Sequence, residues 1–270
     1  MDIGSLIGLI LGIVLTIATM LINAGEASAM EAIGAFGDAG SIMLVVGGSF
    51  ASIFIGNPLN RFIAAMKAFI LVIKPPSFDH AGTIEKIVHL SNLARREGVL
   101  ALEESAQNMD DPFLQKGIML VVDGADPELV RSVLETEMVY MENRHNDIKS
   151  VWDMMNGLAP AWGMVGTMVA LVLMMGNLTD IDALAQNMAL AMITTFYGAL
   201  LANFIALPVS KKLSIHNAEE MLLKEVQIEG MLSIQNGENP RIIEEKLKAF
   251  LAPSLRKNIG GEEATAGGGE

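Results

Sequence analysis

The chain has 270 residues, 31 of them acidic and 18 basic, and a formal charge of −13, a balance that argues against nucleic acid as a partner. It contains no cysteine, so disulfides, thiolate chemistry and cysteine-based metal sites are excluded. Apolar residues make up 51% of it and the mean hydropathy is +0.44, at the top of the soluble range, so the distribution of that apolar content decides the class.

Residues 3–22, 41–56, 157–178 and 183–210 contain no charged side chain. The hydrocarbon core of a bilayer takes about 20 apolar residues per helix, so four transmembrane helices are predicted. The first run has a rival reading as a signal peptide, because Ala27-Ser28-Ala29 looks like a cleavage site. Met1-Asp2 gives no positive n-region, however, and the run is longer than a typical h-region. The second span is the shortest, and a start near Ala35 would place Asp38 among the headgroups. Ten Lys and Arg lie in 57–156 and eight follow Pro208, which accounts for all 18. Neither 23–40 nor 176–182 has any. Cations stay on the cytoplasmic side, so both of those loops face outward and both termini lie inside.

Between the second and third spans the pattern is helical. Asn57 to Ile73 is amphiphilic, with Arg61 and Lys67 in an apolar background, and fits a helix lying at the inner membrane surface. From 79 to 152, Ile84, Ile87, Val88, Leu93 and Ala94 mark one helix face. Asp111-Pro112 and Asp126-Pro127 each supply an N-cap followed by proline at N1, and Gly98 and Gly124 punctuate helix ends. From Pro127 nothing breaks the pattern, which predicts one long helix running on into the third span. The expected organisation is all-α: a transmembrane hairpin (1–56), a cytoplasmic helical domain (57–156), a second hairpin (157–209), cytoplasmic C-terminal helices (210–255) and a disordered Gly-rich tail (256–270).

Small residues recur in the spans: Gly4, Gly8 and Gly12 in the first, Gly47-Gly48-Ser49 with Ala51 and Ser52 in the second, and Ala191, Thr195, Gly198 and Ala202 in the fourth. Such ridges let backbones approach, either within the subunit's own hairpins or against another chain's membrane helix. The third span, "APAWGMVGTMVALVLMM", places Pro160, Gly163, Thr167 and Met174 on one side of a helix. Thr167, Thr194 and Thr195 then carry two open readings. A threonine hydroxyl bonds back to its own helix, which is packing, and hydroxyl oxygens also suit a hard cation such as sodium. No span holds an Asp, Glu, His, Lys or Arg at depth, so an ion-conducting role requires a partner that brings the ionisable group. The four histidines (His80, His89, His145, His216) are scattered without metal-ligand spacing, and there is no phosphate-binding loop or nucleophile elbow, so neither an enzyme nor a cofactor is expected.

Four stretches in this order, "VVGGSFAS", "LARREGVLALEE", "LAPAWGMVGTMVALVLMM" and "TTFYGALLANFIALPVSKKL", resemble the A subunit of the bacterial flagellar motor stator, the MotA/PomA family. The likeness runs from the first span to about Lys212. It implies an inner-membrane complex of five A subunits around two B subunits (MotB/PomB type), each B helix bringing an essential aspartate. Ion passage would drive rotation of the A ring against a rotor switch protein of the FliG type. By the same resemblance the rotor-contacting charges fall on Arg95 and Glu103, flanked by Arg96 and Glu104, although a mixed-charge helix face is ordinarily just solvated. The mechanically important prolines fall on Pro160 and Pro208, and the ion-path threonines of sodium-driven members on Thr167, Thr194 and Thr195. Sodium is therefore favoured over proton as the transported ion. The rival energiser class (ExbB/TolQ) is expected to have three spans and an outside N-terminus. A solute transporter with two-fold repeats does not suit the large charged insert.

Overall fold

A computed structural model of the chain describes residues 2–23, 28–176 and 178–256. Every described element is helical. In chain order these are α1 (Ile3–Ile22), α2 (Ala29–Gly34), α3 (Ala39–Ile42), a π-helical turn (Met43–Gly47), α4 (Gly48–Gly56), α5 (Leu59–Ala68), α6 (Ile70–Ile73), α7 (His80–Glu97), a short 3₁₀ turn (Val99–Ala101), α8 (Leu102–Gln107), α9 (Pro112–Val122), α10 (Pro127–Gly176), α11 (Ile181–Leu200), a second π-helical turn (Leu201–Ala206), α12 (Leu207–Gln235), α13 (Pro240–Lys248) and α14 (Pro253–Arg256). Four helical stretches, Ile3–Ile22, Ala39–Gly56, Pro127–Gly176 and Ile181–Gln235, are long and apolar enough to cross a membrane. The expected tail beyond 256 lies outside the described residues.

The chain divides into two compact units. The first comprises Met1–Pro76 and Arg144–His216 and contains the apolar spans. α1 is N-capped by Asp2, whose carboxylate accepts from the Gly4 N–H (3.1 Å), the Ser5 hydroxyl (2.7 Å) and the Lys212 ammonium. The second span starts at Ala39 and not near Ala35. Asp38 accepts from the Ser41 N–H at 2.6 Å, and a side-chain cap of this kind fixes the first helical residue. Residues 35–37 instead make turn bonds back to Glu31, Ile33 and Gly34.

Spans two and four bury residues at a strict spacing of four: Ser41, Val45, Ser49 and Ile53 in one, Thr194, Gly198, Ala202 and Ala206 in the other. In a regular α-helix each such step drifts by about 40°, so a stripe of this length would leave the contact face. Each helix has a wider π turn within the stripe, which absorbs the drift. This corrects the expected face of span four. Thr195 lies off the buried stripe and is exposed, and Thr194 takes its place. Below the spans, Ile53, Ala65, Val151, Trp152, Met155, Ala206 and Val209 close a small core, and the Trp152 indole N–H donates to the Ala65 carbonyl (3.1 Å).

The second unit comprises Ser77–Asn143 and Asn217–Glu270. Its core gathers Ile84, Ile87 and Leu90 of α7, Leu102 and Ala106 of α8, Phe113, Leu114 and Ile118 of α9, and Met231 and Leu232 of α12, with Ile243 and Leu247 of α13. Both predicted Asp-Pro starts form, at Pro112 and Pro127, with Asp111 and Asp126 accepting from the next free amides. Gly98 (φ +87°) and Gly124 (φ +73°) end α7 and α9 in the backbone region that glycine alone adopts without strain. The unbroken pattern from Pro127 gives the expected long helix, 50 residues to Gly176. Span four behaves likewise, running through its π turn and Pro208 to Gln235, a continuity that the proline obscures in the sequence.

Candidate functional site

Spans three and four pack through glycine. A Cβ on Gly198 would stand 2.6 Å from the Ala159 carbonyl oxygen and 3.2 Å from Pro160 Cα. One on Gly163 would stand 2.9 Å from the Thr194 carbonyl oxygen, and one on Gly166 2.5 Å from Thr194 Cβ. Real Cβ atoms do not tolerate such distances, so Gly198 and Gly163 let main chain lie on main chain, and Gly166 makes room for the Thr194 side chain. Gly163 and Gly166 therefore admit the fourth span of the same subunit. Of the two approaches that small residues left open in the sequence, within the subunit's own hairpins or by another chain's helix, these glycines make the first. Gly48 is occupied in the same way by the Trp162 ring, whose N–H donates to Ser52 Oγ (2.9 Å), and Gly12 by Phe204. Gly8 meets nothing within 4 Å.

The three threonines occupy different environments. Thr194 is buried against Gly166, Thr167 is partly covered, and Thr195 is open. All three hydroxyl protons go to carbonyls of their own helices: Thr167 to Met164 (2.7 Å), Thr194 to Leu190 and Ala191 (3.1 and 3.0 Å), and Thr195 to Ala191 (3.1 Å). A hydroxyl that has donated its proton still has oxygen lone pairs to offer, so this bonding orients the oxygens as acceptors. Pro160 lies exposed within α10, and Pro208 lies exposed two residues beyond the second π turn. Each proline removes one helical N–H and leaves a carbonyl one turn back without that donor. Just below, Ser210 donates to Asp153, which also pairs with Lys149 (2.7 Å).

Arg95 and Arg96 stand in the last turn of α7, and Glu103 and Glu104 in the first turn of α8, separated by the Gly98 bend. Each sign complements the partial charge of its helix end. All four side chains are exposed, and among the described residues none of them joins an ion pair. Several other charges of the unit are paired locally. The Lys224 ammonium is 9% exposed, pairs with Asp111 (3.2 Å) and sits 4.7 Å above the Phe113 ring. Burial raises the Asp111 pKa, but the Gln227 amide and Lys224 outweigh it and hold the carboxyl below its ordinary range. Glu229 is held down by Lys246 first, against some burial, and further by Arg131; in return it raises Lys246.

Sequence reasoning missed two features. One is the role of Trp162 and Phe204 in filling glycine notches; the spacing of small residues shows a notch but not its occupant. The other is Asn203, an exposed amide inside the apolar run of span four, which is visible in the sequence as the one Asn between Leu190 and Pro208.

A four-span helical membrane protein with hydroxyl oxygens on a glycine-packed hairpin, no ionisable group at depth and a separate helical unit bearing unpaired charges has the build of an ion-channel subunit. The MotA/TolQ/ExbB proton channel family matches residues 105–226. The chain is 37% identical to Motility protein A of Treponema pallidum, over 96% of this chain and 97% of that one. It is 38% identical to Chemotaxis protein PomA of Vibrio alginolyticus, over 95% and 98%. The structure of the flagellar MotAB stator complex from Bacillus subtilis superposes with a TM-score of 0.85 at 28% identity, covering 95% of this chain and 99% of that one. The chain belongs to the MotA/TolQ/ExbB family, among its motility A proteins.

Proposed function

We propose that this chain is the A subunit of a flagellar motor stator, multi-pass in the bacterial inner membrane with both termini cytoplasmic, and that it works as a pentamer around two B subunits. The observation that carries this reading is the end-to-end likeness to a chain of a MotAB stator complex. The end of α1 supports the orientation: Asp2 is bonded to Lys212 and to the Ile73 carbonyl, which gathers the N-terminus and the start of the C-terminal segment at the cation-rich end of the spans.

In this reading the B helix brings the aspartate that these spans lack, and the cation passes it along Thr167, Thr194 and Thr195. The family description speaks of protons, whereas three hydroxyl oxygens aimed as acceptors favour sodium. Pro160 and Pro208 mark where the two helices bend as the site loads and empties. Arg95 and Glu103, with Arg96 and Glu104 beside them, meet charges on the rotor switch protein; their exposure and lack of local partners leave them available for it. The ExbB/TolQ energiser reading is disfavoured by four spans against three.

Expression of this chain with its own B partner in cells lacking any other stator tests the reading. Restored rotation is expected. Assembly of the complex without rotation, together with energised transport across an outer membrane, would move the chain to the energiser class.

A further inference from the structure

Asn203 is a polar side chain in an apolar span, and it is exposed. Its Nδ2 donates to the Ala199 carbonyl (3.0 Å), and among the described residues its Oδ1 has no hydrogen-bond donor. Asn57, at the end of the second span, contrasts with it in burial: it is buried, and its Nδ2 donates to the Ile53 carbonyl and the Met154 sulfur. An amide oxygen left facing hydrocarbon without a donor is costly. Its face must therefore meet protein or water.

That face is defined by the exposed residues Met188, Met192, Thr195, Ala199 and Asn203, which recur at spacings of four, three, four and four. Thr195, the open one of the three threonines, lies on it about 12 Å from Asn203 along the axis. Asn203 also sits within the second π turn, five residues before Pro208. Pro208 has no N–H to give to the preceding turn, so the backbone next to Asn203 has one helical donor fewer. One end of the face thus carries a hydroxyl oxygen, and the other carries an amide oxygen near the proline. Neutral oxygen donors of this kind replace the hydration shell of a hard monovalent cation.

We infer that Asn203 is a further ion-coordinating residue, whose side-chain oxygen takes the cation after it leaves Thr195 and hands it toward the Pro208 end of span four. This rests on the stator reading above.

The test measures rotation speed against sodium concentration for the complete complex carrying Asn203→Leu or Asn203→Asp, with assembly checked by co-purification of the B partner. Leucine has the branched shape of the amide, with two methyl groups in place of its oxygen and nitrogen. Asn203→Leu is expected to assemble and to lose speed at least tenfold. Asn203→Asp keeps an oxygen and adds charge, and it is expected to rotate with a half-saturating sodium concentration shifted several-fold. Asn203→Leu rotating within twofold of the parent would overturn the inference. If the leucine variant does not assemble, Asn203→Asp decides, and an unshifted half-saturating concentration would overturn it. Failure of both variants to assemble would assign Asn203 to packing. A parent complex that does not rotate, or that ignores sodium, would instead sink the stator or sodium reading from which this one descends.

Discussion

Glycine at a membrane-helix interface has a meaning only when its opposite number is known. Gly198 faces the backbone of Ala159 and Pro160, which has no rotamer to yield, so Gly198→Ala is expected to destabilise the hairpin by about 1 to 3 kcal/mol, read as a lowered thermal midpoint in detergent. Gly8→Ala has open space around it and should unfold with the parent. If Gly8→Ala nonetheless weakens the assembled complex, the first-span ridge is a subunit contact. The sequence made both glycines visible as small-residue ridges but did not distinguish them, because a spacing of four records that something approaches and not what. Threonine spacing has the same limit. Thr194 and Thr195 are adjacent, yet the π turn downstream sets the register so that one is buried and the other open. Thr167→Ala is expected to raise the sodium concentration needed for half-maximal rotation while leaving assembly intact; an unchanged value would assign its hydroxyl to packing.

Helix starts and stops were largely legible. Asp111-Pro112, Asp126-Pro127, Gly98 and Gly124 are local signals, and local chemistry decides them. The π turns and the run of α12 through Pro208 were not legible, because they depend on which face neighbouring helices cover. At the level of packed helices, the second unit is held by partly buried charges whose protonation can be followed. Asp111 and Glu229 have depressed pKa values, so the stability they contribute is present above their unfolded values near ~4 and is lost as pH falls through the lower folded ones. Lys246 is raised, so its contribution holds below ~10.4 and is lost as pH rises through its folded value. Amide hydrogen-exchange protection over 226–234 in the full chain, relative to the intrinsic rate at each pH, should therefore be greatest between these limits and should fall at both ends. Lys224→Met keeps the bulk over Phe113 but takes the cation from Asp111 and a donor from the Gln227 carbonyl oxygen, and a loss of roughly 1.5 to 3 kcal/mol is expected from charge-assisted bonds of this kind.

Over the whole molecule, one absence shapes the mechanism: four apolar spans without an ionisable side chain cannot by themselves present the charged group that ion relays use. In the proposed reading the labour is divided with a partner, this chain supplying oxygens, hinges and cytoplasmic charges, and the partner supplying the carboxylate. Arg95→Glu should then reduce rotation at least tenfold while sodium entry through the complex persists, measured as flux into vesicles; loss of flux as well would place Arg95 in assembly. The central claim, that sodium moving along this hairpin drives the motor, is tested most directly by the rotation speed of tethered cells whose only stator is this chain with its own B partner, as sodium is replaced by potassium at fixed pH and membrane potential. Speed that falls with sodium is the expected result. Speed that ignores sodium and follows pH would contradict it.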